Sequence, residues 1–165
     1  MTAFFDYPAD SPDGGPDATP DRSRPAPELG DETVLAGITE REWSALRSRC
    51  TVERVPTSEV LVRAGEVDRS LFFVLSGELR ARISKRYVGA PMVPGGVFGE
   101  VAFFDGRPRS SDVVAIHDAE VLRLSYESFT VLAATEPVLA RVLLLELGRA
   151  LAGRLRAAEA ARGRG

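Results

Sequence analysis

The chain has 165 residues, a net charge of −3 and a hydrophobic fraction of 44%, the profile of one globular domain with an appended segment. Its single cysteine, Cys50, excludes an intramolecular disulfide and any cysteine-cluster zinc site, and no apolar run reaches the length of a membrane span. The charge is uneven: residues 1–33 hold eight acids against two arginines, so the remainder is net positive.

The first 33 residues are rich in Pro, Asp and Gly and hold too little apolar surface to offset the entropy of ordering. They read as a disordered acidic leader. Phe4, Phe5 and Tyr7 form an aromatic cluster at its tip. This reads as an uncommitted end in preference to a docking peptide. Nothing at the N-terminus has the basic and then apolar order of a secretory signal, so a cytoplasmic location is expected.

The next segment, Val34 to Cys50, predicts a helix. Thr39 suits the N-cap, and Glu42 three residues on completes a capping box. Leu35, Ile38, Trp43, Leu46 and Cys50 follow with helical apolar spacing. Cys50 reads as a buried structural thiol. Short strands are then expected at 52–55 and 60–62, around a turn at Pro56 to Ser58. Further strands are expected at 71–75 and 79–83, broken at Ser76-Gly77, and at 111–116 and 121–125, broken at His117 to Ala119. Regular short strands with turn signals indicate a β-sandwich or barrel. Tyr126 to Ala134 predicts a short helix. Pro137 then opens a longer one, where its missing amide costs little. Leu139, Val142, Leu143, Leu147, Leu151 and Leu155 form a stripe along it. That stripe can cap the sandwich or also pair with a second copy, and a homodimer is the favoured of the two. From Arg154 onward the composition turns to Ala, Arg and Gly, and this end is expected to fray. Its arginines lack aromatic partners and read as a solvated helix end instead of a nucleic-acid surface.

The densest chemistry lies between Phe98 and Ala115, FGEVAFFDGRPRSSDVVA. Gly99 lets the backbone approach a ligand closely. Val101 to Phe104 can form a helical turn. Glu100 is an ionised acceptor suited to hydroxyl donors. Arg109 offers a planar fork of donors that matches phosphate oxygens, with the Ser110 hydroxyl beside it. The bland alternatives are a structural Glu100–Arg109 ion pair and an ordinary turn hydroxyl at Ser110. His117 is the sole histidine, so neither a multi-histidine metal site nor a Ser-His-Asp triad can be assembled, and no G-x-S-x-G elbow occurs. No metal and no enzymatic activity are expected.

FGEVAFF and RPRSSDVVA resemble the phosphate-binding cassette of the cyclic nucleotide-binding domain family. The resemblance extends over roughly Val34 to Arg156. It implies an α+β, mainly β fold: a β jelly roll, or double-stranded β-helix, flanked by an N-terminal helix and C-terminal helices. The domain is expected over 34–160, with a leader at 1–33 and a frayed tail at 161–165. The resemblance further implies that Glu100 takes the ribose 2′-hydroxyl. Arg109 takes an equatorial phosphate oxygen, and Ser110 contacts phosphate. The backbone around Phe98, Gly99 and Val101 supports sugar and phosphate. Ser111 stands where the family commonly has Ala, Asp112 follows it, and Gly96 replaces a common polar residue. The short basic stretch from Ile83 to Val93 implies a trimmed strand pair. Gly65 and Gly77 fall where the family places tight turns.

The implied function is a non-enzymatic receptor for cAMP, or for cGMP, without a further cofactor. Ligand is expected to close the C-terminal helix over the base and to signal to an unidentified effector protein. No DNA binding is expected, since the chain stops before a helix-turn-helix would fit, and no membrane contact. The alternative is a degenerate domain that keeps the fold and acts as a protein docking module.

Overall fold

The structure is a computed structural model and describes residues Ile38 to Gly163. The acidic leader, Leu35 and the last two residues lie outside the described residues. Helix α1 (Glu40–Arg47) starts where the sequence places it. The Thr39 side chain caps it, and the Thr39 amide donates to the Glu42 carboxylate at 2.8 Å. Its buried face carries Trp43 and Leu46.

Six strands follow: β1 (Thr51–Val55), β2 (Val60–Val62), β3 (Leu71–Ile83), β4 (Arg86–Met92), β5 (Val97–Phe98) and β6 (Asp112–Leu124). They form an antiparallel array in the order β1-β6-β3-β4, with β2 also on β6 and β5 also on β3. This is the expected jelly-roll sheet with flanking helices. Strands β3 and β6 are its spine. Leu71 faces Leu124 and Val74 faces Val121 along their shared register.

Two expected breaks are absent. The pairs expected at 71–75 with 79–83, and at 111–116 with 121–125, are each one continuous 13-residue strand. Gly77 does not end β3; it sits at φ +79 among register shifts between Val74 and Leu79. A Cβ there would lie 2.2 Å from the Asp118 carbonyl oxygen, so only glycine lets β3 bulge past β6 at this point. Strand β4, where a trimmed pair was expected, folds back on β3 through Ser84 and Lys85. Both have positive φ, 47° and 67°, as a two-residue hairpin turn requires. Neither residue is Gly, Asn or Asp, so the turn carried no sequence signal.

The apolar run of β3 is buried on both faces. Leu71, Phe73 and Leu75 join Trp43, Leu46, Phe103, Leu122 and Leu124 under the helices. Phe72 and Val74 point the other way, into the roll, with Val62, Leu79, Phe98 and Val121. Phe72 and Phe98 stack there at 5.0 Å between centroids. Cys50 is buried in the helix-side core and its thiol is pushed up to about 12 by that burial, so it is structural as expected.

Short α2 (Glu100–Asp105) links β5 to the β6 loop. Helix α3 (Tyr126–Thr135) is capped by Ser125, and α4 (Pro137–Arg162) opens on Pro137. In α4, Leu139, Leu143 and Leu147 are buried against the sheet, while residues 152–163 are exposed. The helix continues to Arg162. Ala, Leu and Arg, which fill these turns, are strong helix formers.

Candidate functional site

One cavity of about 630 Å³ lies between β5, α2, the 108–111 loop, β4 and the distal half of α4. All seven residues singled out from the sequence border it. Phe98, Gly99, Glu100 and Val101 come from β5 and the start of α2, and Arg109, Ser110 and Ser111 from the loop before β6.

Local geometry explains how this wall is built. Gly99 caps α2 in the left-handed region, φ +88. A Cβ on it would meet the Ser70 carbonyl oxygen at 2.6 Å and the Arg109 guanidinium at 2.7 Å. The missing side chain therefore makes room for Arg109. Immediately after this turn, Glu100 is carried into the interior and is 2% exposed.

Arg109 is held at both backbone and side chain. Its amide donates to the Glu66 carbonyl and its carbonyl accepts from the Gly65 amide, both at 2.8 Å. Gly65, at φ +87, is the turn residue expected from the sequence. The guanidinium is deeply buried. Its Nη1 donates to the Gly99 carbonyl at 3.1 Å, and its Nη2 to Asp68 Oδ2 and the Ser70 carbonyl, both at 2.7 Å. Its Nε is buried and has no acceptor among the described residues. Asp68 also accepts from Ser70 and Arg123. Burial pushes the Asp68 carboxyl up. Hydrogen bonds from Arg109 and Ser70 and the charges of Arg109 and Arg123 outweigh it and hold the group below the usual carboxylate range.

Glu100 and Arg109 do not pair with each other. The charged partner of Glu100 is Arg154 on α4, whose Nη1 donates to Glu100 Oε1 and whose Nη2 donates to the Val97 carbonyl. This overturns the reading of Arg154 as part of a solvated helix end. The sequence carried one signal for it: a lone arginine at three- and four-residue spacing from alanines on the face of α4 that turns to the roll. Asp68 was likewise missed, and nothing local marks it.

Asp112, unusual for the motif, has a structural role. It accepts from the Ala64 amide at 3.0 Å and from Arg82 at 2.9 Å, tying β6 to β3 and to the loop that anchors Arg109. The bond from Ala64, and then that from Arg82, hold its carboxyl below the usual range. Away from these charges the cavity wall is apolar. Val88, Gly89, Ala90 and Met92 line it on β4, and Ala157, Ala158 and Ala161 on α4. The cavity thus places a buried carboxylate and a buried guanidinium at one side of an apolar slot. It can accept hydrogen bonds from hydroxyls, donate to an anion and cover a flat apolar group. Among the described residues there is no group of His, Cys, Asp and Glu that could hold a metal ion, and no helix long and apolar enough to cross a membrane.

Comparison with known proteins agrees with this fold. An uncharacterized NTE family protein of Mycobacterium tuberculosis is 30% identical over 118 residues, 72% of this chain and 20% of that protein. The chain thus spans about a fifth of that relative. A cyclic nucleotide-binding domain from Methylobacillus flagellatus superposes with a TM-score of 0.66 at 27% identity, covering 73% of this chain and 70% of that one. The catabolite activator protein of Thermus thermophilus gives the same TM-score and identity, covering 79% of this chain and 61% of that one. The family model described as cyclic nucleotide-binding domain matches residues 52–136, just over half of the chain. This protein belongs to the cyclic nucleotide-binding domain family.

Proposed function

We propose that the chain is a non-enzymatic cyclic nucleotide receptor that passes its state to a partner protein through α4. The supporting observation is that Glu100 and Arg109 line one cavity as two buried, opposite charges, each neutralised by a different residue. A structural ion pair would join them directly. Keeping them apart leaves an acceptor for sugar hydroxyls and a donor for phosphate in the same slot, with an apolar wall for the base.

In this reading Glu100 takes the ribose 2′-hydroxyl and Arg109 the cyclic phosphate. Phe98, Gly99, Val101, Ser110 and Ser111 complete the polar end. The apolar wall offers no side-chain hydrogen bond to a base edge. The ligand is cAMP in the first instance, with cGMP as the rival, and the site of action is the cytoplasm. The apolar residues exposed on α4, among them Leu144, Leu145 and Leu155, are where an effector or a second copy would seat.

Thermal unfolding with cAMP, cGMP and 5′-AMP tests the proposal. A cyclic nucleotide at 100 times its dissociation constant stabilises the fold by about 2.7 kcal/mol, and 5′-AMP does not reproduce that shift. No shift with either cyclic nucleotide would sink it. The second reading, a docking module whose cavity takes no nucleotide, is favoured by one observation: Arg154 already occupies Glu100.

A further inference from the structure

We propose that the open edge of β4, at the basic β3–β4 hairpin, is a docking surface for the acidic, aromatic head of this chain's own leader, residues 4–21. The surface uses the edge and tip of the hairpin, and the inference stands apart from the nucleotide reading of the cavity.

The hairpin carries one sign of charge. Residues 79–99 contain four cations, Arg80, Arg82, Lys85 and Arg86, and no acid. Arg82 is paired with Asp112, and Arg80 lies over the Tyr87 ring at 5.5 Å. Lys85 and Arg86 are exposed and make no ion pair among the described residues. Beside them the apolar side chains of Ile83 and Tyr87 are also exposed. Strand β4 ends the order β1-β6-β3-β4, so one of its edges pairs with no strand among the described residues. Such an edge presents amide and carbonyl groups to an extended segment. Pro91 removes one donor, which leaves residues 86–90 as the pairing stretch. At the other end of the order, β1 sets Glu53 beside Arg54 and has no such excess of cations.

The leader has the complementary chemistry. Residues 1–21 hold five acids, Asp6, Asp10, Asp13, Asp17 and Asp21, and no base. Phe4, Phe5 and Tyr7 are residues that favour strands, and Asp6 among them supplies the first negative charge. Aromatic rings there suit the exposed Ile83 and Tyr87, and the aspartates suit Lys85 and Arg86. Reach is no obstacle. The 30 residues between Tyr7 and Ile38 span up to roughly 100 Å when extended. A domain of this size has a radius of gyration of roughly 14 Å. The tether also favours this occupant over a free peptide, because it holds the head near the hairpin at an effective concentration on the order of millimolar. A weak, salt-sensitive contact is then enough to fill the surface.

The test places a nitroxide spin label on the full chain through Thr2→Cys and reads paramagnetic broadening of backbone amides by NMR. Cys50 does not compete for the label, since it is buried and its thiol is pushed up to about 12. Amides of residues 83–90 are expected to broaden several-fold more than those of β1, Thr51–Val55. Charge reversal by Lys85→Glu with Arg86→Glu is expected to erase that difference. So is 1 M salt on the chain without the reversal, where screening acts within about 3 Å and no residue of the hairpin is changed. Equal broadening at both edges, or none at either, overturns the proposal. Broadening that survives both charge reversal and salt overturns the charge complementarity on which it rests. Mixing spin-labelled chain with isotope-labelled chain that lacks the nitroxide separates the remaining case. Broadening of 83–90 in the mixture as strong as within one chain shows a second copy's leader on the hairpin and overturns docking by the chain's own.

Discussion

Asp68 Oδ2 accepts from Arg109 Nη2 at 2.7 Å, and this contact aims the guanidinium of the cavity wall. The two residues are 41 positions apart, and Asp68 is itself steadied by Ser70 and Arg123. Arg109 is thereby locked at its Nη end before any ligand arrives, which reduces the ordering cost of binding an anion.

Removing the charge of Asp68 therefore acts on the ligand without touching it. Asp68→Asn keeps the shape of the side chain and weakens the charge-assisted bond. Nucleotide affinity is expected to fall several-fold by calorimetry, with the circular dichroism spectrum unchanged. Affinity equal to wild type would show that Arg109 is positioned without Asp68.

The same contact sets a pH dependence. A carboxyl held below its ordinary value stabilises the fold above that value, about 3.9 for Asp, and the contribution is lost as pH falls through the depressed folded value. Asp68 thus adds a constant increment from pH 5 to 8 and loses it only in acid. In thermal melts, Asp68→Asn should differ from wild type by a constant amount between pH 5 and 8. The two should converge below about pH 4. A gap that widens in acid would reverse the sign assigned to Asp68.

Arg109→Lys tests the fork. An ammonium supplies a charge but lacks the planar set of donors that reaches Gly99, Ser70 and Asp68 at once. Hydrogen bonds to charged groups are worth about 1.5–3 kcal/mol, so affinity is expected to drop by one to two decades. Calorimetry that returns the wild-type value would remove Arg109 from the phosphate site.

Glu100 is tested by varying the sugar. A 2′-deoxy cyclic nucleotide is expected to bind wild type more weakly than the parent. In Glu100→Ala the difference should shrink towards zero, because its partner is already missing. Persistence of the full difference in the variant would assign the hydroxyl to another residue.

Gly99→Ala probes the turn that makes room for Arg109. A side chain in the left-handed region costs about 1–2 kcal/mol, and the Cβ would also press on the Ser70 carbonyl and on Arg109. Denaturant unfolding should register a loss of at least about 1 kcal/mol, with nucleotide affinity falling alongside it. A variant as stable as wild type would show that the backbone has another way to pass Arg109.

The two halves of α4 should part company on truncation. Ending the chain before Leu143 removes Leu143 and Leu147, both fully buried. At about 1.5–3 kcal/mol each, they are a large share of a stability of roughly 5–15 kcal/mol. Aggregation or a far lower melting temperature is expected. Ending it after Ala152 takes away residues that are exposed together with Arg154, the charged partner of buried Glu100, and the melting temperature should fall by less than on ending before Leu143. Equal stability of the two truncations would contradict the division of α4 into core and appendage.

What the sequence determined by itself was local. The Thr39–Glu42 capping box, Pro137 at the head of α4 and the Gly99-Glu100 to Arg109 cassette all depend on neighbours within a few residues, where hydrogen-bond geometry and helical or strand period leave a readable pattern. The alternating faces of β3 and β6 were also legible as apolar runs, but their continuity was not. Whether Gly77 ends a strand or bulges it depends on the Asp118 backbone passing 2.2 Å from where its Cβ would be. The charge pairs were decided only by the tertiary structure. Asp68 reaches Arg109 across 41 positions and Arg154 reaches Glu100 across 54. Any of the chain's many carboxylates and arginines satisfies the chemistry of such a pair. Which two meet is set by where the sheet and α4 bring the backbone, because an ion pair depends on distance in space and leaves no periodicity in the sequence.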